Sequence, residues 1–330
     1  MEIFRTPEER FEVWSDYPFE PHYLEYEGVR MHYLDEGNKD ASVMLLVHGM
    51  PTSSHLYRFM IPPLVAAGYR CIAPDHIGFG KSDKVIDDRW YSIDKHQLAL
   101  QYLIETLDLK HITVIVQDWG GPLGLRGPVD MPERYDRLCI LNTWLHHADF
   151  YYPPSMWGWA KLWYRFDYPG ERKRPTKILE YIGESLYGMF MKFMVGDNQP
   201  IGAVFYTALY ARRGLKQHDS PAYRAVEAPF PTPESKAGVR RFPLSLPMYN
   251  PDGGNAAVQE YCYYTLKKWP KPAHFIFGDN DPNFTPEKMV DWADGMVSST
   301  TQIIEGGGHF LQESHPQEVV ERLLQAIEQE

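Results

Sequence analysis

Ile112-Thr-Val-Ile-Val-Gln-Asp118-Trp-Gly120-Gly121 is the stretch on which the reading of this 330-residue chain turns. Five β-branched residues in a row suit a short strand buried on both faces of a parallel sheet. The run stops on an acid, and after one Trp come two glycines. Glycines let the chain turn tightly and pack closely on the following element, which would lift the Asp118 side chain into the open. Taken alone, an Asp in this place could equally cap the next helix.

Outward from this stretch the same rhythm repeats. Apolar runs at Val43 to Val47, Cys71 to Ala73, Leu138 to Leu141 and Phe275 to Phe277 read as further buried strands. Stretches of helical spacing lie between and after them, at His55 to Ala67, Ile93 to Leu107 and Gln317 to Ile327. Such alternation predicts an α/β fold. Val29 to Leu34 alternates more like an edge strand, with Asp35-Glu36-Gly37-Asn38 as the turn after it. From about Thr143 to Ala228 the pattern changes to dense Trp, Tyr, Met and Pro, with helical patches such as Lys177 to Phe193. This predicts a helical cap, 144–228, inserted after the sixth strand of a core formed by 1–143 and 229–330, its aromatic underside lining a pocket. An independent second domain is the alternative.

Composition excludes several function classes. Hydrophobic residues make up 44% and charged residues 23%, as in globular proteins and unlike disordered ones. A formal charge of -11 argues against nucleic acid or an anionic membrane as partner. Cys71, Cys139 and Cys262 lie too far apart for metal-ligand spacing and read as reduced, structural thiols. The first twenty residues are charged, and no run approaches the roughly 20 apolar residues that span a bilayer, so the expectation is a cytoplasmic protein.

Three features give Asp118 a chemical context. The strand, acid and glycines match a nucleophile elbow with Asp where esterases carry Ser. Val47-His48-Gly49-Met50-Pro51 follows the first strong strand, from which an α/β-hydrolase supplies one backbone oxyanion donor; Met50 and Trp119 N–H would form the pair. Gly306-Gly307-Gly308-His309 stands near the C-terminus, in the order nucleophile, acid, histidine of that fold, although His309 alone could be an ordinary loop histidine. Gly278-Asp279-Asn280-Asp281 puts acids after a late strand, where a carboxylate would orient the histidine, and spacing leaves Asp279 and Asp281 in competition.

Val116-Gln-Asp-Trp-Gly-Gly121, Gly78-Phe-Gly-Lys-Ser-Asp-Lys84 and the opening Arg5-Thr-Pro resemble the haloalkane dehalogenases, and the similarity covers nearly all the chain outside the insertion. It includes Tyr33-Leu-Asp-Glu-Gly37, Leu56-Tyr-Arg58, Ala228-Pro-Phe-Pro231 and Ala237-Gly-Val-Arg-Arg-Phe-Pro243. The subfamily of the 1,2-dichloroethane-degrading enzyme is the most similar. The resemblance implies an α/β-hydrolase fold and an Asp118, His309, Asp281 triad, since that subfamily places its acid after the seventh strand and Gly278-x-x-Asp281 matches it. Relatives that place the acid after the sixth strand differ from this chain, which has Asn142 there. It also implies a small apolar halogenated substrate, a halide product, water as co-substrate, and no metal or organic cofactor. Oligomeric state is not implied.

A carboxylate nucleophile suits that chemistry. Serine attacking an alkyl halide would leave an ether, which a histidine-water pair cannot hydrolyse, whereas a carboxylate leaves a hydrolysable ester. Displaced halide in an apolar pocket needs hydrogen-bond donors. Indole N–H groups serve because they carry no competing acceptor. Trp119 is the first by family match; Met50 stands where relatives have Asn or Glu and has no side-chain N–H. The second donor would then be a cap Trp, among Trp157, Trp159 and Trp163, and Leu162-Trp-Tyr-Arg-Phe-Asp167 best resembles the relatives' segment.

Epoxide hydrolases share the Asp, the histidine and the following Trp-Gly, and are the main alternative. They need paired cap tyrosines, for which Tyr152, Tyr164, Tyr187, Tyr206 and Tyr210 are available, but generally carry His where this chain has Gln117. A non-dehalogenating ligand receptor or an oxygenase on the same scaffold is a third reading, against which the full triad argues. Replacing Trp163 by Phe keeps the bulk of the ring and removes its N–H, so halide affinity and turnover should fall together. Chloride titration of indole fluorescence in Trp157→Phe, Trp159→Phe and Trp163→Phe proteins checks this, and unchanged chloride binding by Trp163→Phe would remove the assignment.

Overall fold

The computed structural model describes residues 1–14, 16–153, 156–157, 221–232, 234–281 and 283–330. Strands β2 (His22–Tyr26), β3 (Val29–Glu36), β4 (Val43–Val47), β5 (Arg70–Pro74), β7 (Ile112–Asp118), β8 (Tyr135–Thr143), β9 (Ala273–Gly278) and β10 (Ser299–Ile304) form one sheet. Their order across it is β10-β9-β8-β7-β4-β5-β3-β2. From β10 to β5 all neighbours are parallel, while β5, β3 and β2 pair antiparallel. Two short strands, β1 (Ile3–Phe4) and β6 (Lys84–Val85), pair separately.

The continuous apolar runs are explained by burial on both faces. Along β4, Val43, Leu45 and Val47 enter one core cluster and Met44 and Leu46 the other, as a two-residue period requires. The first cluster is closed by Leu100, Leu103 and Ile104 of helix Ile93–Thr106, together with Leu123 and Leu266. The second is closed by Ile61 and Leu64 and by Val319, Val320 and Leu323 of helix Pro316–Glu328. Helix Ile93–Thr106 starts where Ser92 Oγ accepts from Lys95 N at 3.1 Å, an N-cap. The α/β reading of the sequence is that of the fold, and β8 is the sixth strand of the sheet in chain order.

Two expectations are corrected. Val29 to Leu34 lies in β3, which is paired on both sides and runs on through Asp35 and Glu36, so the turn expected from Asp35 starts only at Gly37; the edge is β2, with sequence His-Tyr-Leu-Glu-Tyr. That strand is only half-buried and mixed in polarity, so no apolar run marks it. The single helix expected over His55 to Ala67 is two elements, a 3-10 turn Ser54–Tyr57 and a helix Ile61–Ala66. Pro62 and Pro63 lack N–H groups and are tolerated only in a first helical turn, so the helix begins at Ile61. The helical patch Lys177 to Phe193 lies outside the described residues.

The order reverses at β4, flanked by β7, later in the chain, on one side and β5 on the other. In open α/β sheets ligands bind beyond the carboxyl ends of strands at such a switch point. Here the ends of β4 and β7 pass so closely that a Cβ on Gly120 would overlap the Val47 carbonyl, and one on Gly49 would overlap the Asp118 side chain. Gly120→Ala should therefore lower stability by about 1–3 kcal/mol through overpacking, whereas Gly308→Ala, with open space around its Cβ, should change it by less than about 0.5 kcal/mol. Urea unfolding of the two variants measures the difference; equal midpoints would contradict so close an approach.

Candidate active site

Asp118 ends β7 with φ of 52°, in the left-handed region that Asp tolerates better than most residues. A register shift against β8 falls between Gln117 and Asp118, and Thr143 Oγ1 donates to the Asp118 carbonyl, so the turn is tied to the neighbouring strand. The N–H of Met50, just past β4, donates to Asp118 Oδ1 at 2.9 Å. The N–H of Trp119 stands at the start of helix Gly120–Gly124, where backbone donors have no intrahelical acceptor.

His309 lies between two carboxylates. Its Nδ1 is 2.7 Å from Asp281 Oδ2, and its Nε2 is 3.2 Å from Asp118 Oδ2. A carboxylate only accepts, so Nδ1 carries a hydrogen. Asp281 is buried, and its other oxygen accepts from the N–H groups of Asn283 (2.8 Å) and Phe284 (3.1 Å), which leaves Oδ2 directed at the histidine. Asp279 is exposed and caps Gly306 N at 2.8 Å instead. Burial opposes a charge on His309, but the negative charges and hydrogen bonds of Asp281 and Asp118 outweigh it and raise the imidazole to about 10.

Three residues that the sequence reading did not place in the site hold it together. Asn142 Nδ2 donates to Gly308 O (2.8 Å) and His309 O (3.2 Å), while its Oδ1 accepts from Gly278 N (3.1 Å), so it ties β8 and β9 to the histidine loop. Gln117 Nε2 donates to the same His309 carbonyl at 3.1 Å. Trp144 is buried edge-on against Trp119, ring centres 4.9 Å apart, and stacks on Phe284 at 5.1 Å. Trp119 also meets Phe242 edge-on at 5.0 Å, so the wall beside Asp118 is aromatic. Of the tryptophans expected to offer the second halide donor, Trp157 is partly exposed and packs on Tyr249; Trp159 and Trp163 lie outside the described residues. Among the tyrosines considered for epoxide opening, Tyr152 is buried with its hydroxyl 2.9 Å from His146 Nδ1, and Tyr164, Tyr187, Tyr206 and Tyr210 lie outside the described residues.

Residues 42–316 match the family model for the alpha/beta hydrolase fold. A haloalkane dehalogenase of Psychrobacter cryohalolentis is 36% identical, the alignment covering 99% of this chain and 98% of the relative. One of Mycolicibacterium paratuberculosis is 34% identical over 98% of both. This chain belongs to the haloalkane dehalogenase family. Among solved structures, the tetrameric haloalkane dehalogenase DpaA of Paraglaciecola agarilytica superposes with a TM-score of 0.79 at 32% identity, over 98% of this chain and 97% of that one. Haloalkane dehalogenases are hydrolases of carbon-halide bonds, which is the chemistry that the arrangement of Asp118, His309 and Asp281 accommodates. Among the described residues no helix is long and apolar enough to cross a membrane.

Because the folded imidazole lies above its ordinary value, the stabilisation from His309 is fully present below about pH 6.5 and is lost as the pH rises through about 10. Asp281→Asn removes the foremost influence raising it, so the His309 titration should move down and turnover should drop by orders of magnitude, as when other triads lose their carboxylate. Asp279→Asn should do little to either. Imidazole NMR titration and halide-release rates check both, and the opposite ranking would reassign the acid.

Proposed function

We propose that this haloalkane dehalogenase cleaves its carbon-halogen bond in two steps, through an ester on Asp118. In the first, Asp118 Oδ2, the oxygen without a backbone donor, forms a bond to the substrate carbon as the carbon-halogen bond breaks, and halide leaves with the electron pair. In the second, water gives a proton to His309 Nε2 while its oxygen attacks Asp118 Cγ. The Met50 and Trp119 N–H groups stabilise the oxyanion on Oδ1. Collapse breaks the bond from Cγ to the alkyl oxygen, which takes the proton from His309 and leaves as alcohol; Asp118, left as the acid, then gives up its proton, so the net products are alcohol, halide and one proton. Asp281 keeps the ring oriented and balances its transient charge.

The observation that supports this reading most is the position of His309, with Nδ1 on Asp281 and Nε2 facing Asp118. On the same reading, residues 144–228 form a cap over the aromatic wall, and the indole N–H groups of Trp119 and Trp163 receive the halide. The substrate is a small, apolar haloalkane. Tyr152 is already engaged with His146, which gives the epoxide-opening alternative no support from the described tyrosines.

Since His309 acts only in the second step, His309→Gln should still be alkylated on Asp118 and fail to release the product. Intact-protein mass spectrometry after incubation with 1,2-dibromoethane should show the adduct, and Asp118→Asn should show none. A folded His309→Gln protein that stays unmodified would refute the two-step mechanism, and consumption of styrene oxide in place of 1,2-dibromoethane by wild type would favour epoxide hydrolysis.

A further inference from the structure

Gln117 is the penultimate residue of β7 and is fully buried. Its Nε2 donates to the His309 carbonyl at 3.1 Å and lies 3.2 Å from His309 Nε2. The reverse amide orientation would turn the Gln117 oxygen onto the His309 carbonyl oxygen, lone pair against lone pair, so the NH2 end faces the ring. A primary amide has two N–H groups, one for each of these neighbours. Gln117 Oε1 is buried with no hydrogen-bond partner among the described residues. That arrangement is costly, and the amide is held in the site by its donor end alone.

We propose that Gln117 is a positioning residue for the second half-reaction, its amide N–H holding the bare Nε2 of His309 in place while Asp118 is esterified. The proposal rests on the two-step reading above. His309 Nε2 has two neighbours of opposite preference. Asp118 Oδ2, at 3.2 Å, favours a proton on that nitrogen, whereas the Gln117 N–H favours its absence. Among the described residues the charged groups facing the ring are Asp118 and Asp281, and Asp281 is committed to Nδ1.

Before reaction the Asp118 charge prevails. Once Asp118 carries an alkyl group it is neutral, its pull on Nε2 ends, and the Gln117 N–H remains aimed at the nitrogen that must accept a proton from water. The contact is long for a hydrogen bond to nitrogen, so it steers the ring and yields to the incoming water. The same side chain, with Asn142, holds the His309 backbone, so ring and main chain are fixed from two adjacent strands.

The test separates the half-reactions by rapid mixing with 1,2-dibromoethane, following adduct formation and decay by quenched mass spectrometry. Gln117→Met keeps the approximate volume without a donor; it should alkylate at the wild-type rate, lose ester more slowly by about tenfold, the weight of one hydrogen bond, and accumulate adduct. Gln117→Glu puts a carboxylate against Nε2, which favours the imidazolium, so its ester hydrolysis should also shift to higher pH, a change that simple loss of packing does not produce. Should the buried carboxylate prevent folding, Gln117→Met carries the test. Ester decay at the wild-type rate in Gln117→Met, or both steps slowed equally, would overturn the proposal. Absence of any adduct on Asp118 in His309→Gln would instead overturn the two-step reading beneath it.

Discussion

The near contact between the ends of β4 and β7 is the constraint from which the site follows. Neither Gly49 nor Gly120 has room for a Cβ, because each faces the other strand's end at backbone or side-chain distance. Two strand ends packed this closely put a main-chain donor, Met50 N–H, directly on the Asp118 carboxylate. A backbone donor costs little reorganisation when charge moves onto that oxygen, which is why such groups suit oxyanion stabilisation. The left-handed conformation of Asp118 is tolerable in the same setting, since the Thr143 hydroxyl and the Met50 N–H hold its carbonyl and carboxylate.

His309 illustrates how charge is managed away from water. Burial alone would keep the ring neutral, but two carboxylates flank it, and the proposed chemistry removes the charge of one of them. The same two contacts also fix the orientation of the ring. That orientation is supported from further out. Arg58 makes a bidentate, buried pair with Glu313 at 2.5 and 2.8 Å, anchoring the helix that follows His309. Asp75, past β5, accepts from His32 Nδ1 and from the N–H groups of Ser54 and Lys81; burial would raise its carboxyl, but the electrostatic influence and hydrogen bond of His32, with His48 and the Ser54 N–H, hold it well below the ordinary range. Asp75 thereby joins the loop after β4 to the Gly78 to Lys84 loop, which Arg5 grips from the N-terminus through Asp83.

Much of the fold was legible because its central strands are buried on both faces, and such strands leave unbroken apolar runs. Within the eight-stranded sheet the strands that escaped were β2 and β10, at its two edges, where exposure replaces apolar residues with His, Glu, Thr and Gln; the two-residue strands β1 and β6 escaped as well. Helix ends at Ile93 and Pro316 were legible within a residue or so, whereas two prolines split the helix expected at His55. In the site, Asp118 and His309 were marked by their glycine-rich surroundings, whereas Asn142 and Gln117 stood out only as departures from related families, with nothing in the sequence to show what they bond.

The sequence by itself determined the α/β alternation, the strand-acid-glycine turn at Asp118 and the order of acid and histidine, because these depend on local periodicity and on the conformational freedom of glycine. Spacing left open which acid meets the histidine; the family resemblance favoured Asp281, and the contact itself is tertiary. Asp279 and Asp281 are two residues apart in one loop: Gly306 N, distant in the chain, draws Asp279 outward, while the N–H groups of Asn283 and Phe284, close in sequence, hold one oxygen of Asp281 and leave the other to meet the distant His309. The roles of Gln117 and Asn142 belong to the same class. Each bonds His309 across more than 160 positions of sequence, a relation that no local pattern encodes.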